Sequence, residues 1–145
     1  MEVRSPLTMQ EWDHYFNLRW QILRAPWNQA KGTEKDEIEH EKNTFHAMAL
    51  NIDNQILGVA RLHLLTENKA QIRYMAVSKQ SQGLGIGKLL INYLEAIAKS
   101  QNVNQIVLQS RENAVDFYIK HNYKIIQKSF IMYNEIQHYL MEKSL

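Results

Sequence analysis

Apolar positions recur along the chain in two periods, and the switches between them lay out the elements. From residue 8 to 24, Trp12, Tyr15, Phe16, Ile22 and Leu23 fall at helical spacing, with Arg19 on the same stripe. Thr8 followed by Glu11 is a capping-box pattern, in which each side chain satisfies a free backbone N–H of the other's end of the first turn. Pro26 cannot continue a helix, so this one ends near Arg24, and Met1 to Ser5 ahead of it suits a short strand. After residue 44 the period shortens. Phe45–Asn51, Gln55–Leu65 and Ala70–Val77 read as strands, separated by the polar turns Asp53-Asn54 and Glu67-Asn68-Lys69, and short turns favour antiparallel pairing. In the second strand Val59, Arg61, His63 and Leu65 alternate with Ala60, Leu62 and Leu64, so both faces carry apolar residues. Helical spacing returns from about Leu84 to Ser100, where Ile86, Leu89, Leu90, Tyr93, Leu94 and Ile97 form one apolar face. Gln105–Leu108 suits a short buried strand, Asn113–His121 a helix, and Tyr123–Tyr133 and Ile136–Glu142 two closing strands. The strand at 70–77 reaches the one at 105–108 through a helix, which predicts a parallel pair with a right-handed crossover. The predicted architecture is a single α/β domain over residues 1–145, with a mixed, mostly antiparallel sheet flanked by helices.

Composition narrows the function classes. A chain of 145 residues with 45% apolar residues suits one packed core and excludes wholesale disorder. Lys and Arg number 17 against 15 Asp and Glu, and a net charge of +2 gives no footing for nucleic acid or an anionic membrane. Cysteine is absent, which removes disulfides, thiolate metal sites and a cysteine nucleophile. The six histidines form no H-x-x-x-H pair, so neither a structural nor a catalytic metal is expected. No apolar run reaches the roughly 18 residues of a membrane span, and the opening MEVRSPLTMQEW lacks an apolar signal core, so a cytoplasmic protein is expected. Residues 31–43 are dense in charge, with Glu34, Asp36, Glu37, Glu39 and Glu41 against three lysines. Two readings stand there: a solvated helix or loop, or a mobile acidic rim that draws a cationic substrate.

The most informative segment follows Met75-Ala76-Val77. In Gln82-Gly83-Leu84-Gly85-Ile86-Gly87-Lys88, three of the five glycines stand at alternate positions just where a helix begins. Glycines permit a tight turn and leave N–H groups uncovered by side chains. The first turn of a helix has N–H groups without intrahelical partners, and its dipole favours negative charge. Together they make an anion site, most often for phosphate, to which Lys88 adds a positive charge. The dinucleotide fingerprint requires G-x-G-x-x-G, whereas the spacing here is G-x-G-x-G. The P-loop requires Ser or Thr after Gly-Lys, whereas Leu89 follows Lys88. A plain strand-to-helix turn is the simpler alternative, but one or two glycines suffice for that.

The run from Gln82 to Gly87 resembles the Q/R-x-x-G-x-G/A signature of the GNAT N-acetyltransferases, and Met75-Ala76-Val77 is similar to the strand before it. Asn113-Ala114-Val115-Asp116-Phe117-Tyr118-Ile119-Lys120-His121-Asn122-Tyr123 resembles the family's second pattern. The likeness covers about residues 55 to 127 well. It departs at Lys79, where proline is frequent, at Asn122, where glycine is usual, and at Gln82, where arginine is commoner. The resemblance implies a GNAT-like fold with its parallel strand pair at an acyl-CoA site, and acetyl-CoA as acyl donor. It implies that Gln82, Gly83, Leu84, Gly85, Ile86, Gly87 and Lys88 wrap the pyrophosphate. Met75, Ala76 and Val77 would pair with the pantetheine, Asn113 would hydrogen-bond its arm, and Tyr118 would protonate the departing thiolate as general acid. On residue pattern alone Tyr118 fits a core aromatic better than a catalytic acid.

Transfer to an amine requires the neutral amine. For a lysine-like group this costs ~4 kcal/mol at pH 7. Gln71-Ile72-Arg73-Tyr74, on the strand before the glycine turn, offers no carboxylate. The candidate bases are His63, His138, Glu67, Glu135 or a water chain, and a backbone N–H near Ala76 or Val77 would polarise the thioester carbonyl. The acceptor is a small-molecule or protein amine, and exposed sheet edges would allow a homodimer. The alternative function is a non-catalytic acyl-CoA-binding or regulatory module of the same fold.

Overall fold

The computed structural model describes residues 1–145. Its strands are β1 (Glu2–Arg4), β2 (Thr44–Leu50), β3 (Ile56–Leu64), β4 (Lys69–Val77), β5 (Gln105–Arg111), β6 (Lys124–Met132) and β7 (Ile136–Ser144). The helices are α1 (Met9–Leu23), α2 (Ile86–Ser100) and α3 (Val115–Lys120). All seven strands form one sheet in the order β1-β2-β3-β4-β5-β7-β6, antiparallel except for the parallel pair β4–β5. The expected order of elements is therefore observed. The reach of β7, which inserts between β5 and β6, has no counterpart in the chain's local pattern.

The capping box at the start of α1 is formed, with the Glu11 N–H donating to Thr8 Oγ1 at 3.1 Å and the Thr8 N–H returning to Glu11 Oε1 at 3.3 Å. The sheet is buried on both faces, which explains the unbroken apolar run in β2. Met48, Leu50, Val59 and Ala76 meet Tyr15, Phe16, Leu18 and Leu23 of α1 on one face. Ala47, Ala49, Ala60 and Leu62 meet Ile86, Leu90, Ile91 and Leu94 of α2 on the other. The buried stripe of α2 is rotated from the expected one: Ile91 and Ala98 are in the core, whereas Leu89 is exposed. Glu95 joins the buried set because its carboxylate accepts from Tyr123 at 2.9 Å and from Lys143 at 2.8 Å.

Several boundaries move. The helix expected from Leu84 begins at Ile86, because Gly85 is its N-cap and adopts a left-handed φ of 83°. The expected 113–121 helix is a 3-10 turn over Glu112–Ala114 followed by α3. Asn122 keeps its turn, with φ of 71°, as asparagine tolerates. The charged segment is a loop rather than a helix, and most of its residues are exposed. It is a string of turns strapped onto the α1 face, with Glu34 and Glu39 buried. Glu39 Oε2 lies 2.7 Å from Arg19 and 3.0 Å from Arg61, and Asp36 bridges Arg61 at 2.8 Å and Arg73 at 3.4 Å. Burial opposes ionisation of Asp36 and Glu39, but the arginines prevail and hold both carboxyls below the ordinary carboxylate range. No helix is long and apolar enough to cross a membrane.

Packing between α2 and the sheet depends on Gly58. A Cβ there would lie 2.7 Å from Ile86 Cγ2 and 3.1 Å from Leu90 Cδ1. Gly58→Ala is expected to lower the unfolding free energy by about 1–3 kcal/mol through overpacking, read as a lower urea midpoint at unchanged slope.

Candidate active site

The parallel ladder between β4 and β5 runs only from Lys69↔Gln105 to Ile72↔Leu108, although the strands continue to Val77 and Arg111. The parting coincides with an irregularity in β4: the β3 register shifts between Val59 and Arg61, and Tyr74 takes a φ of 59°. Such a bulge bends a strand away from its neighbour. The result is a cleft of about 960 Å³ whose walls include β4, the end of β5, the glycine turn and α3.

One wall is an open strand edge. The Ser78 N–H donates to the Leu57 carbonyl at 2.9 Å, and Ala76 is in register with Val59. In an antiparallel ladder alternate residues bond the same neighbour. Ala76 therefore faces β3, and Val77 turns its N–H and carbonyl to the opposite side, toward the cleft. The Gln82 amide confirms that direction by donating to the Val77 carbonyl at 3.3 Å. Of the two backbone donors considered for a thioester carbonyl, Ala76 is thus engaged with β3, and Val77 remains.

Of the sequence-predicted residues, Met75, Ala76, Val77, Gln82, Gly83 and Gly85 line the cleft, as do Ile86, Gly87, Lys88, Asn113 and Tyr118. Leu84 does not: its side chain is 69% exposed and outside the lining. Gly83 and Gly85 both take positive φ, 80° and 83°, which carries the chain through the turn into α2. Gly87 is required for a different reason, since a Cβ there would lie 2.8 Å from Phe117 Cζ. The turn and α3 are thus in direct contact, and the Phe117 ring packs edge-on against Tyr118 at 5.0 Å.

Tyr118 is both a core aromatic and a cleft residue. It is only 6% exposed and belongs to the α2-side core, yet it also lines the cavity. Burial alone pushes its hydroxyl pKa up, so it holds its proton across the neutral range. Among the candidate bases, His138 reaches the cleft, whereas His63, Glu67 and Glu135 are not in its lining. Glu135 instead accepts from the Trp27 indole N–H. His138 pairs with Arg111 across β5 and β7, which sets both side chains on one face. Its Nδ1 lies 3.0 Å from the Ile136 carbonyl, and its ring stacks on Phe130 at 4.3 Å. A carbonyl only accepts, so Nδ1 carries the proton and Nε2 keeps the lone pair. Burial, chiefly, and the nearby Arg111 charge pull the His138 pKa below 6.5 against the raising effect of that hydrogen bond.

The strand pair that parts, the glycine turn at a helix start and the buried tyrosine form one constellation, and comparison with known proteins gives it a family. The profile of the Acetyltransferase (GNAT) family matches residues 12–123. The chain belongs to the GNAT family. The match extends well before residue 55, into α1. A curated N-acetyltransferase of Chlorobaculum tepidum, itself uncharacterized, is 28% identical over 100 residues; the match spans 69% of this chain and 61% of that relative's length. The uncharacterized N-acetyltransferase YjcF of Bacillus subtilis is 23% identical over 128 residues, 88% of this chain and 89% of the relative. Among solved structures, an aminoglycoside 6'-N-acetyltransferase complexed with coenzyme A superposes with a TM-score of 0.83 at 16% identity, covering 99% of this chain and 97% of the other. The GNAT fold is thus present over the whole length.

Because Gly87 abuts Phe117, adding a methyl group there should displace the aromatic pair and narrow the cleft beside Lys88. Gly87→Ala is expected to weaken coenzyme A binding at least about tenfold by calorimetry, a loss near 1.4 kcal/mol.

Proposed function

We propose that this protein transfers the acetyl group of acetyl-CoA to a primary amine by direct attack of the neutral amine on the thioester. The observation that carries the reading is the cleft between β4 and β5, which has a phosphate-type turn on the α2 side and a neutral, buried imidazole on the α1 side. The uncovered N–H groups between Gln82 and Lys88 suit a pyrophosphate, because the helix dipole and Lys88 both favour negative charge there. The free edge at Val77 suits the amide-bearing pantetheine arm, which pairs as an added strand does. Asn113 also lines the cleft and is suited to bond that arm.

In this reading the amine nitrogen forms a bond to the acetyl carbon as the carbon–sulfur bond breaks. The amine proton goes to His138 Nε2, and the Tyr118 hydroxyl gives its proton to the thiolate. The two groups have the protonation states their roles need. A raised tyrosine pKa keeps the acid protonated, and a lowered histidine pKa keeps the base unprotonated. The Val77 N–H is the donor available to the oxyanion.

Coenzyme A at 100 times its Kd should stabilise the protein by ~2.7 kcal/mol, seen as a rise in Tm. Tyr118→Phe is expected to reduce kcat roughly 100-fold or more while leaving coenzyme A affinity intact. Wild-type protein that binds coenzyme A but acetylates no amine would instead be an acyl-CoA-binding module. The acidic limb of the kcat/KM profile follows from the sign of the His138 shift. A base with a depressed pKa stays competent as the pH falls, so the limb should lie below pH 6.5 and vanish in His138→Gln. A limb at or above 6.5 would assign the base elsewhere.

A further inference from the structure

The charges that line the cleft are all of one sign. Arg24, Arg73, Lys88 and Arg111 are in its wall, and no aspartate or glutamate is. Lys88 sits at the glycine turn, where a pyrophosphate accounts for it. Arg73 is paired with Asp36. Arg24 and Arg111 have no such explanation. The Leu23 carbonyl, at the last residue of α1, accepts from Arg24 Nη1 and from Arg111 Nη2, both at 3.0 Å. The other hydrogen bond of the Arg24 side chain is from Nε to the Thr33 carbonyl at 3.1 Å. Arg111 is held over the Trp27 ring at 4.6 Å. Two guanidiniums therefore converge on one carbonyl with no carboxylate on either.

Capping of α1 does not balance them. A helix C-terminus carries about half an elementary negative charge, against two full positive ones. Arg24 is only 6% exposed, so water does not screen it as it would a surface side chain. Each fork still has N–H donors without a partner, and a planar bidentate anion is the group that such donors fit. Beside them, Gln109 shares a β5 face with Arg111, and its Oε1 is buried with no hydrogen-bond donor. An amine N–H would supply one. Residues two apart on a strand are about 7 Å apart, which is the span between the amine and the anionic group of a small molecule.

We infer that the acceptor is a small primary amine whose own skeleton carries an anionic group, seated on Arg24 and Arg111 with its amine toward Gln109 and His138. This inference rests on the acetyl-transfer reading above. It reverses the expectation of a cationic acceptor, because none of the acidic residues that suggested one lines the cleft, and two of them, Asp36 and Glu39, are paired with Arg19, Arg61 and Arg73.

The test measures release of the coenzyme A thiol with β-alanine and γ-aminobutyrate, their carboxamides, aminoethyl phosphate and spermidine. The acids or the phosphate should exceed the carboxamides and spermidine in kcat/KM by at least about tenfold, and their ratio decides between carboxylate and phosphate. Arg111→Gln should raise the acceptor KM about 10- to 100-fold, leave the acetyl-CoA KM unchanged and erase the preference over the carboxamide. Retained thermal stabilisation by coenzyme A shows that this variant is folded. Preference for spermidine, parity of acid and carboxamide, or a ratio unchanged in Arg111→Gln would overturn the inference with acetyl transfer intact. Absence of transfer to every amine, or of coenzyme A binding, would defeat the acetyl-transfer reading and the inference with it.

Discussion

The structure turns on the place where β4 and β5 stop bonding to each other. Four residue pairs hold them together, and after Ile72↔Leu108 each strand goes on without the other. A parted pair inside a sheet is costly, since backbone N–H and C=O groups that lose a neighbour and lie away from water need another partner. The cleft is the resolution of that conflict. It brings an unpaired strand edge, a turn rich in free amides and the end of β5 to one space. No single element would make a site there.

What keeps the strands apart is an assembly of charge and ring on the α1 face. Tyr74, at the bulge, has the guanidiniums of Arg19, Arg61 and Arg73 within 4.2, 4.8 and 4.5 Å of its ring centroid. A tyrosine with positive φ is held at a cost of order 1–3 kcal/mol, and such a conformation persists only where its surroundings determine it. Asp36 and Glu39 supply the counter-charge that lets those arginines be buried. The pairing is imperfect, because Arg19 Nε, Arg61 Nε and Glu39 Oε1 have no partner. The acidic segment thus acts as a clamp on the bulge, and its contribution to the site is geometric.

The elements with strong local periodicity were legible in the sequence: α1 with its capping box, α2, the three-strand meander and the parallel crossover. So was the glycine turn, because three left-over backbone freedoms in one short run have few uses. What escaped depended on pairs distant in the chain. The charged segment looked solvated because nothing in it reveals Arg19 or Arg61 waiting across the sheet. His138 was one of several candidate bases because only the register Arg111↔His138 brings it to the cleft. Arg24 and Arg111 carried no signal at all, being 87 residues apart and joined only through the Leu23 carbonyl. The outward side chain of Leu84 was not legible either, because it follows from the left-handed conformation of the glycines on both sides, Gly83 and Gly85.

The one-signed lining bears on the chemistry as well as on recognition. An amine entering the cleft meets Arg24 and Arg111, which no carboxylate offsets, and like charge disfavours the protonated form. The ~4 kcal/mol that separates a lysine-like ammonium from the free base at pH 7 is therefore reduced by the walls, before any base acts. A purely cationic acceptor would meet the same field as repulsion and bind poorly. An acceptor with its own anion resolves this, because the anion returns in binding what the ammonium loses. In the proposed complex the two arginines on one helix-end carbonyl would hold the anion at one end of the molecule and leave the amine at the other to Gln109 and His138.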